Sequence, residues 1–293
     1  MKTTSALARQ RSRSGVIFAI PALILVAAFL GIPIIQAGYF SFTEWNGVTA
    51  IWHGISTYNH EIHDPIFWRV LLNNGYLLLG IPIAILFPMG IAFLLNEKVY
   101  GWKIFRSIYF LPTAISWVVI GMVSMRFFAQ EGLLNGLLKS FGLGFIKTDL
   151  LSSEQGALFA VGITFIWSMV GTNTIIFLTG MATLDQSLNE AARMDGAGNF
   201  RIFRSITLPQ LNRFIQFSFI ITVISAFTAL FSLIFVMTGG GPGFGTTTLE
   251  FFIYQSAFSR GNFGTGAMLG VILFFMMAVL GIGQLLLMRN KDD

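Results

Sequence analysis

Residues 155–184 read QGALFAVGITFIWSMVGTNTIIFLTGMATL, thirty positions between Glu154 and Asp185 without a single Asp, Glu, Lys or Arg. Wound as a helix, this run is about 45 Å long at 1.5 Å per residue, more than the roughly 30 Å hydrocarbon core of a bilayer. Working outward, five more charge-free stretches reach 19 residues or more: 14–43, 70–96, 107–125, 214–249 and 261–288. The third is the tightest and borrows Phe127 and Phe128. Of the 293 residues, 55% are apolar and 11% charged, against about 25% charged in soluble domains. A soluble fold could not hide that much apolar surface, so the solvent is lipid. The expected fold is an all-α membrane protein with six transmembrane helices. The shorter stretch 45–60, with Trp45, Asn46, Gly47, His53 and Asn59, reads as a polar loop.

Six spans put both termini on one side. That side holds thirteen of the eighteen Lys and Arg: Lys2, Arg9, Arg11, Arg13, Lys98, Lys103, Arg106, Arg193, Arg201, Arg204, Arg213, Arg289 and Lys291. The other side holds Arg69, Arg126, Lys139, Lys147 and Arg260. The positive-inside rule makes the first side cytoplasmic. The net charge of +5 therefore reports topology, with no nucleic-acid partner implied. The first charge-free stretch is too long for the h-region of a cleaved leader and reads as an uncleaved span. The organisation expected is a cytoplasmic tail over 1–13, a six-span domain over 14–288 and a short cytoplasmic tail over 289–293. Residues 44–69 and 126–154 then form outer loops. Leu133, Leu134, Leu137, Leu138 and Phe141 recur at helical spacing in the second, as a short interfacial helix would. Gly239-Gly240-Gly241-Pro242-Gly243 must be a turn.

The cytoplasmic loop between the fourth and fifth spans, residues 185–213, carries the most information. Ser187 and Glu190 have capping-box spacing, predicting a helix from about Leu188. Ala191, Ala192 and Met194 favour helix, and Gly196 or Gly198 can end it in the left-handed region. Leu188, Ala191, Ala192 and Asp195 share one face, slim enough for close approach by another protein. A second helical stretch starts near Asn199, and Pro209 kinks or restarts it before the fifth span.

Glu190-Ala191-Ala192, three residues, Gly196, nine residues, Ile206, one residue and Leu208-Pro209 resemble the EAA loop of binding-protein-dependent ABC importer permeases at every fixed position. Asn73-Asn74, Phe105-Arg106 through Leu111-Pro112, and Gly132-Leu133-Leu134-Asn135 are similar to the sugar-importing branch. Thr238 through Pro242, Thr246-Thr247-Thr248 and Tyr254 resemble the maltose-type or glycerol-phosphate-type first permease subunit. The resemblance implies a type I ABC importer transmembrane domain in a bacterial or archaeal cytoplasmic membrane. It implies that the loop is a coupling helix, with Glu190, Ala191, Ala192, Asp195, Gly196, Ile206, Leu208 and Pro209 as its ATPase-coupling residues. It also implies a second permease as heterodimer partner, two ATPase subunits that hold ATP and Mg, and an extracytoplasmic sugar-binding protein. No cofactor is expected on this chain itself, and no GxxxxGK[ST] appears in it.

A sugar pathway needs hydroxyl or amide groups beside aromatic faces. Trp167, Ser168, Thr172 and Asn173 in the fourth span, with Ser225, Phe227 and Thr228 in the fifth, supply both. The competing role for such groups is helix packing. A secondary transporter is the rival class, but the spans lack the carboxylates that ion coupling uses. An intramembrane enzyme is disfavoured because Cys is absent and no His lies in a span. His53, His60 and His63 lack paired metal-ligand spacing. A phosphorylated substrate would call for Lys or Arg inside the spans, where each costs about 2.5–3.5 kcal/mol on insertion scales. None lies away from the span ends, so the substrate expected is a neutral sugar or oligosaccharide rather than a glycerol phosphate. Because the chain has no cysteine, the orientation is directly testable. A Cys introduced at Ser56 should react with an impermeant thiol reagent added outside, and one at Gly198 should not. Reversed labelling would sink the assignment.

Overall fold

The computed structural model describes residues 18–96, 107–145 and 149–289. Lys2, Arg9, Arg11, Arg13, Lys98, Lys103, Arg106, Lys147, Lys291, the tail 1–13, Phe105 and most of the C-terminal tail lie outside them. The chain divides into two compact units, Met1–Glu61 with Ile253–Phe275, and Ile62–Phe252 with Met276–Asp293.

In the first unit, α1 (Phe18–Phe40) is long and apolar enough to span a membrane, and none of its residues is buried. A β-hairpin follows, β1 (Thr43–Trp45) antiparallel to β2 (Ala50–Trp52). The polar sequence of 45–60 predicts loop alone, whereas the structure forms a strand and the start of a helix there. The hairpin turn is fixed by Asn46, whose Oδ1 accepts from the backbone N–H of Val48 and Thr49 at 3.0 and 2.8 Å, the local bonding for which Asn is favoured in turns. Trp45 stacks on Phe40 at 4.0 Å and Phe42 meets Tyr58 at 5.3 Å, so aromatic contacts hold the hairpin to α1 and to α2 (Ser56–His63).

In the second unit, α3 (Pro65–Asn96), with an irregular turn at Leu79–Gly80, is a 32-residue span. It starts on Asp64, whose side chain accepts from the Ile66 N–H, with Pro65 at the first helical position. The third expected span is broken. α4 (Ser107–Ala114) and α5 (Trp117–Phe128) meet at 113°. Ile115 and Ser116 are extended, and the Ser116 hydroxyl caps a new helix, so a charge-free run that reads as continuous starts twice. Leu133–Ser140 forms α6, the short helix that the apolar spacing predicted. α7 (Glu154–Ala182) is the 29-residue helix of the opening stretch. The remaining elements are α8 (Gln186–Met194), α9 (Asn199–Gln210), α10 (Asn212–Thr228) and α11 (Leu230–Met237), with α12 (Leu249–Tyr254) and α13 (Phe263–Arg289) each having residues in both units. α9 and α10 meet at 70°. Counting each bent pair as one span gives six candidate membrane spans among the described residues. The Gly-Pro run is a turn as expected, with Gly239 and Gly240 at positive φ.

The core of this unit is α3 packed along α7. Ala84, Ala92, Ala157, Ala160, Val161 and Phe177 are fully buried there, and small residues let the two backbones approach closely, as membrane helix interfaces require. One backbone group sets the arrangement. Pro88 lies inside α3 and has no N–H, so the Ala84 carbonyl, four residues earlier, has no helical donor. Asn173 on α7 supplies it. Its Nδ2 donates to Ala84 O at 2.7 Å and to Thr222 Oγ1 on α10 at 3.1 Å, and its Oδ1 accepts from Ser218 Oγ at 2.9 Å. One fully buried amide thus joins three helices. Asn173→Ala should leave that carbonyl and two hydroxyls short of partners and cost about 1–3 kcal/mol. Thermal unfolding of the solubilised chain should show a lowered midpoint; an unchanged midpoint would remove the amide from the account.

Candidate functional site

The loop between α7 and α10 begins on a different cap from the one its sequence suggests. Asp185, not Ser187, is the N-cap of α8: its carboxylate accepts from the Ser187 N–H at 2.9 Å, and the helix starts at Gln186. A carboxylate at a helix N-terminus satisfies a free donor and meets the positive end of the dipole, which a hydroxyl in a capping box does less strongly. The backbone N–H and the hydroxyl of Ser187 hold the Asp185 carboxyl below its ordinary value.

The other end follows the prediction. Gly196 sits at φ +80°. Its N–H reaches Arg193 O at 3.0 Å, and the Ala197 N–H reaches Ala192 O at 2.9 Å, closing α8 with a left-handed residue as in a Schellman cap. The chain then re-enters the membrane domain through α9, which carries a π turn over Phe203–Thr207 immediately before Pro209. The proline ring cannot accept the regular helical register with the residues before it, and the widened turn absorbs the misfit.

The base of this loop is firmly packed. Ile202, Thr207 and Leu211 are buried, and Phe203 meets the Phe93 ring of α3 at 4.7 Å. A Cβ on Gly180 would fall 2.7 to 2.8 Å from Phe214 and Leu211, so α7 and the start of α10 touch at a point where only glycine fits. Ile206 and Leu208 are half-buried and Pro209 is exposed. The far end is the opposite. Glu190, Ala191, Asp195 and Gly196 are exposed, with Ala192 half-buried. Leu188, Met194 and Phe200 leave 48%, 87% and 74% of their surface uncovered. The result is a short helix with bare apolar side chains, carried on a packed root that contacts α3, α7 and α10.

The pathway candidates are dispersed. Ser168 is buried and donates to Phe165 O at 2.7 Å, and Asn173 serves the three-helix junction. Phe227 is buried, at 5% exposure, whereas Trp167 is 41% exposed, so the two rings are not presented together. Thr228 is exposed and bonds back to Ile224 O. Thr172 and Ser225 are half-buried. No group of three His, Asp or Glu is arranged for a metal among the described residues.

A second polar cluster brings together Asn73-Asn74 and Thr246-Thr247-Thr248, two motifs that the sequence offers only as separate parts of the resemblance. Asn73 Nδ2 donates to Phe244 O and Thr247 O at 2.8 and 2.9 Å. Asn74 Oδ1 accepts from the Leu249 N–H at 2.8 Å, and Asn74 Nδ2 reaches Glu250 Oε2 at 3.3 Å. The two asparagines of α3 therefore hold the loop between α11 and α12, whose Thr246, Thr247 and Thr248 are fully buried. The available signal was the paired resemblance of Asn73-Asn74 and the Gly-Pro-Thr run to one family pattern.

Residues 63–291 match the family described as binding-protein-dependent transport system inner membrane component. The chain belongs to that family. It is 36% identical over 268 residues to a probable ABC transporter permease protein of Pyrococcus horikoshii, covering 90% of this chain and 91% of that one. It is 31% identical to a multiple sugar-binding transport system permease protein of Streptococcus mutans, over 94% and 95% of the two chains. The crystal structure of a bacterial ABC transporter involved in import of the acidic polysaccharide alginate contains a chain of the same fold, with a TM-score of 0.83 at 21% identity, covering 97% and 99%. Such permeases are transport subunits and perform no covalent chemistry.

The geometry of α8 gives a direct test of the loop. Space around Gly196 is open, so Gly196→Val is opposed only by its positive φ, about 1–3 kcal/mol of local strain. Glu190→Lys reverses a charge on the exposed face. Both variants should insert in the membrane at normal levels yet co-purify less ATPase subunit and transport more slowly. Wild-type transport by both would remove the coupling role.

Proposed function

We propose that this chain is one membrane-spanning subunit of an ATP-driven importer that carries a neutral sugar or oligosaccharide delivered by an extracytoplasmic binding protein. The observation that carries the proposal is α8, a capped helix with bare Leu188 and Met194 on a root packed into α3, α7 and α10. An exposed apolar patch on a rigid mount suits insertion into a groove on another protein. In this reading that protein is an ATPase subunit, of which two act, each holding ATP and Mg. Glu190, Ala191, Ala192, Asp195 and Gly196 form the contact, while Ile206, Leu208 and Pro209 set the lever behind it. A second permease completes the pathway. α1, apolar and without a buried residue, is available to lipid or to that partner.

The chain lies in a bacterial or archaeal cytoplasmic membrane with both termini cytoplasmic. The tail 1–13 precedes a permease domain over 14–288 that contains the coupling loop 185–213, and 289–293 follow it. ATP binding closes the ATPases and moves α8; its packed root passes the motion to α7 and α10, and the cavity changes from inward-facing to outward-facing. Sugar then enters from the binding protein, and hydrolysis resets the pair. Trp167, Ser168, Thr172, Ser225, Phe227 and Thr228 remain the proposed pathway set, with Asn173 fixing the helices that bear them. The preference for a neutral substrate over a glycerol phosphate rests on the absence of Lys and Arg from the charge-free stretches, with Arg201, Arg204 and Arg213 of the bent α9–α10 pair falling in the coupling loop 185–213.

Import by the reconstituted complex, measured with a panel of labelled sugars and the cognate binding protein, tests the reading. Thr172 and Ser225 are the sharper probes, because truncating the buried Phe227 also opens a cavity. Thr172→Ala and Ser225→Ala should each slow import several-fold at limiting sugar, in line with about 0.5–1.5 kcal/mol for one hydrogen bond, with complex assembly intact. Wild-type rates in both would place the pathway elsewhere. Import of anionic substrates alone would overturn the neutral-sugar assignment.

A further inference from the structure

The loop held by Asn73 and Asn74 contains a carboxyl group that the transport reading does not use. Glu250 stands at the start of α12, outside the membrane spans. The residue is half-buried, but its Oε1 is shielded from solvent and has no hydrogen-bond partner. The neighbouring Thr248 Oγ1 is likewise shielded and unpaired. Glu250 Oε2 has only the long 3.3 Å contact with Asn74 Nδ2. An ionised carboxylate in this position would be poorly solvated, with one shielded oxygen that no geometric hydrogen bond satisfies. The Thr248 hydroxyl can donate to a carboxylate or accept from a carboxylic acid and so serves either state, which leaves the cost of burying the charge to favour the protonated one.

We propose that Glu250 is a proton-binding site that acts as a latch, holding the 238–250 loop against α3 when protonated and loosening it when ionised. The contacts that depend on it are specific. Asn74 carries both the Glu250 carboxylate and the Leu249 N–H, so a disturbance at one is felt at the other. The loop is internally braced by Thr247 Oγ1 donating to Gly240 O at 2.9 Å and by the Thr238–Thr246 hydroxyl pair at 2.7 Å, and therefore moves as a piece. The charged groups of the surrounding elements do not compete. Arg69 of α3 is paired with Glu154 at the start of α7. α11, whose Phe231 and Phe235 pack on Phe251, has no titratable residue, and the remaining titratable groups are Tyr76 on α3 and Tyr254 on α12.

Burial pushes the Glu250 carboxyl up from 4.5 to about 7, against the opposing pull of its own backbone, Thr248 and Asn74. A carboxyl whose value is raised in the closed loop stabilises closure fully below its released value. That stabilisation is lost as pH rises from about 4.5 through about 7. Only the compartment supplying the proton, the extracytoplasmic one, rests on the permease reading.

The test is hydrogen exchange at the Leu249 amide in the assembled complex without sugar or ATP, corrected for the pH dependence of intrinsic exchange. The opening constant should rise about tenfold per pH unit between about 5 and 7 and level off above. In Glu250→Gln, which is neutral throughout, it should stay flat at the low value. A flat wild-type profile overturns the latch, as does a Glu250→Gln profile that still rises. If the variant fails to assemble, the wild-type complex still decides the matter. Its protonated-carboxyl infrared band should disappear between about pH 6 and 8, and its absence at about pH 6 overturns the proposal. None of these measurements requires transport, so failure of the permease reading would leave them interpretable.

Discussion

Pro88 removes one N–H from the longest described span, and the molecule is arranged around the carbonyl this frees. In water the Ala84 carbonyl would find a solvent molecule; at membrane depth a protein donor must reach it. Asn173 does so from 89 residues away, and its remaining amide contacts take Ser218 and Thr222 of α10. α3, α7 and α10 are therefore joined at one buried point. The same three helices are joined again at the root of the α8–α9 loop, through Phe93 with Phe203 and through Gly180 with Leu211 and Phe214. Two junctions on the same helices make a body that can transmit a push applied to α8.

The division of labour along that loop follows from burial. Its root is packed and its tip is bare, so the tip can be recognised without disturbing the root. Gly196 sets the boundary between the two, and the π turn before Pro209 sets the angle at which the root enters the membrane domain. At the opposite end of α3, Asn73 and Asn74 hold the loop that leads to α12. α3 thus meets the root of the α8–α9 loop toward one end and the Gly-Pro-Thr loop toward the other.

Much of this was legible in the sequence for identifiable reasons. Charge-free runs reveal spans because ionised groups are costly in lipid, and the Glu190–Pro209 spacing survives as a motif because it encodes a helix, a left-handed stop and a kink in fixed order. The features that were not legible depend on long-range partners or on local competition. Nothing near Asn173 announces that it serves a carbonyl on α3, so it reads as readily as a sugar ligand. Ser187 and Glu190 have the spacing of a capping box, but Asp185 two residues earlier outcompetes it. Ser116 restarts a helix inside a run with no charged residue to mark the break. The Thr43–Trp52 hairpin is short and rich in aromatic residues, so its polar turn hid the strands on either side. Glu250 looks like an ordinary loop carboxylate until Asn74 and Thr248 are folded over it.

On the proposed function, α8 and the α3–α7–α10 body are expected to move together when the ATPases close. The most direct measurement is the distance between spin labels at Met194 on α8 and Ile163 on α7, both exposed, by electron–electron double resonance in the assembled importer. The account predicts one distance distribution, unchanged between the nucleotide-free and ATP-bound states. A shifted or second distribution on ATP binding would mean that the loop flexes at its root, and would contradict it.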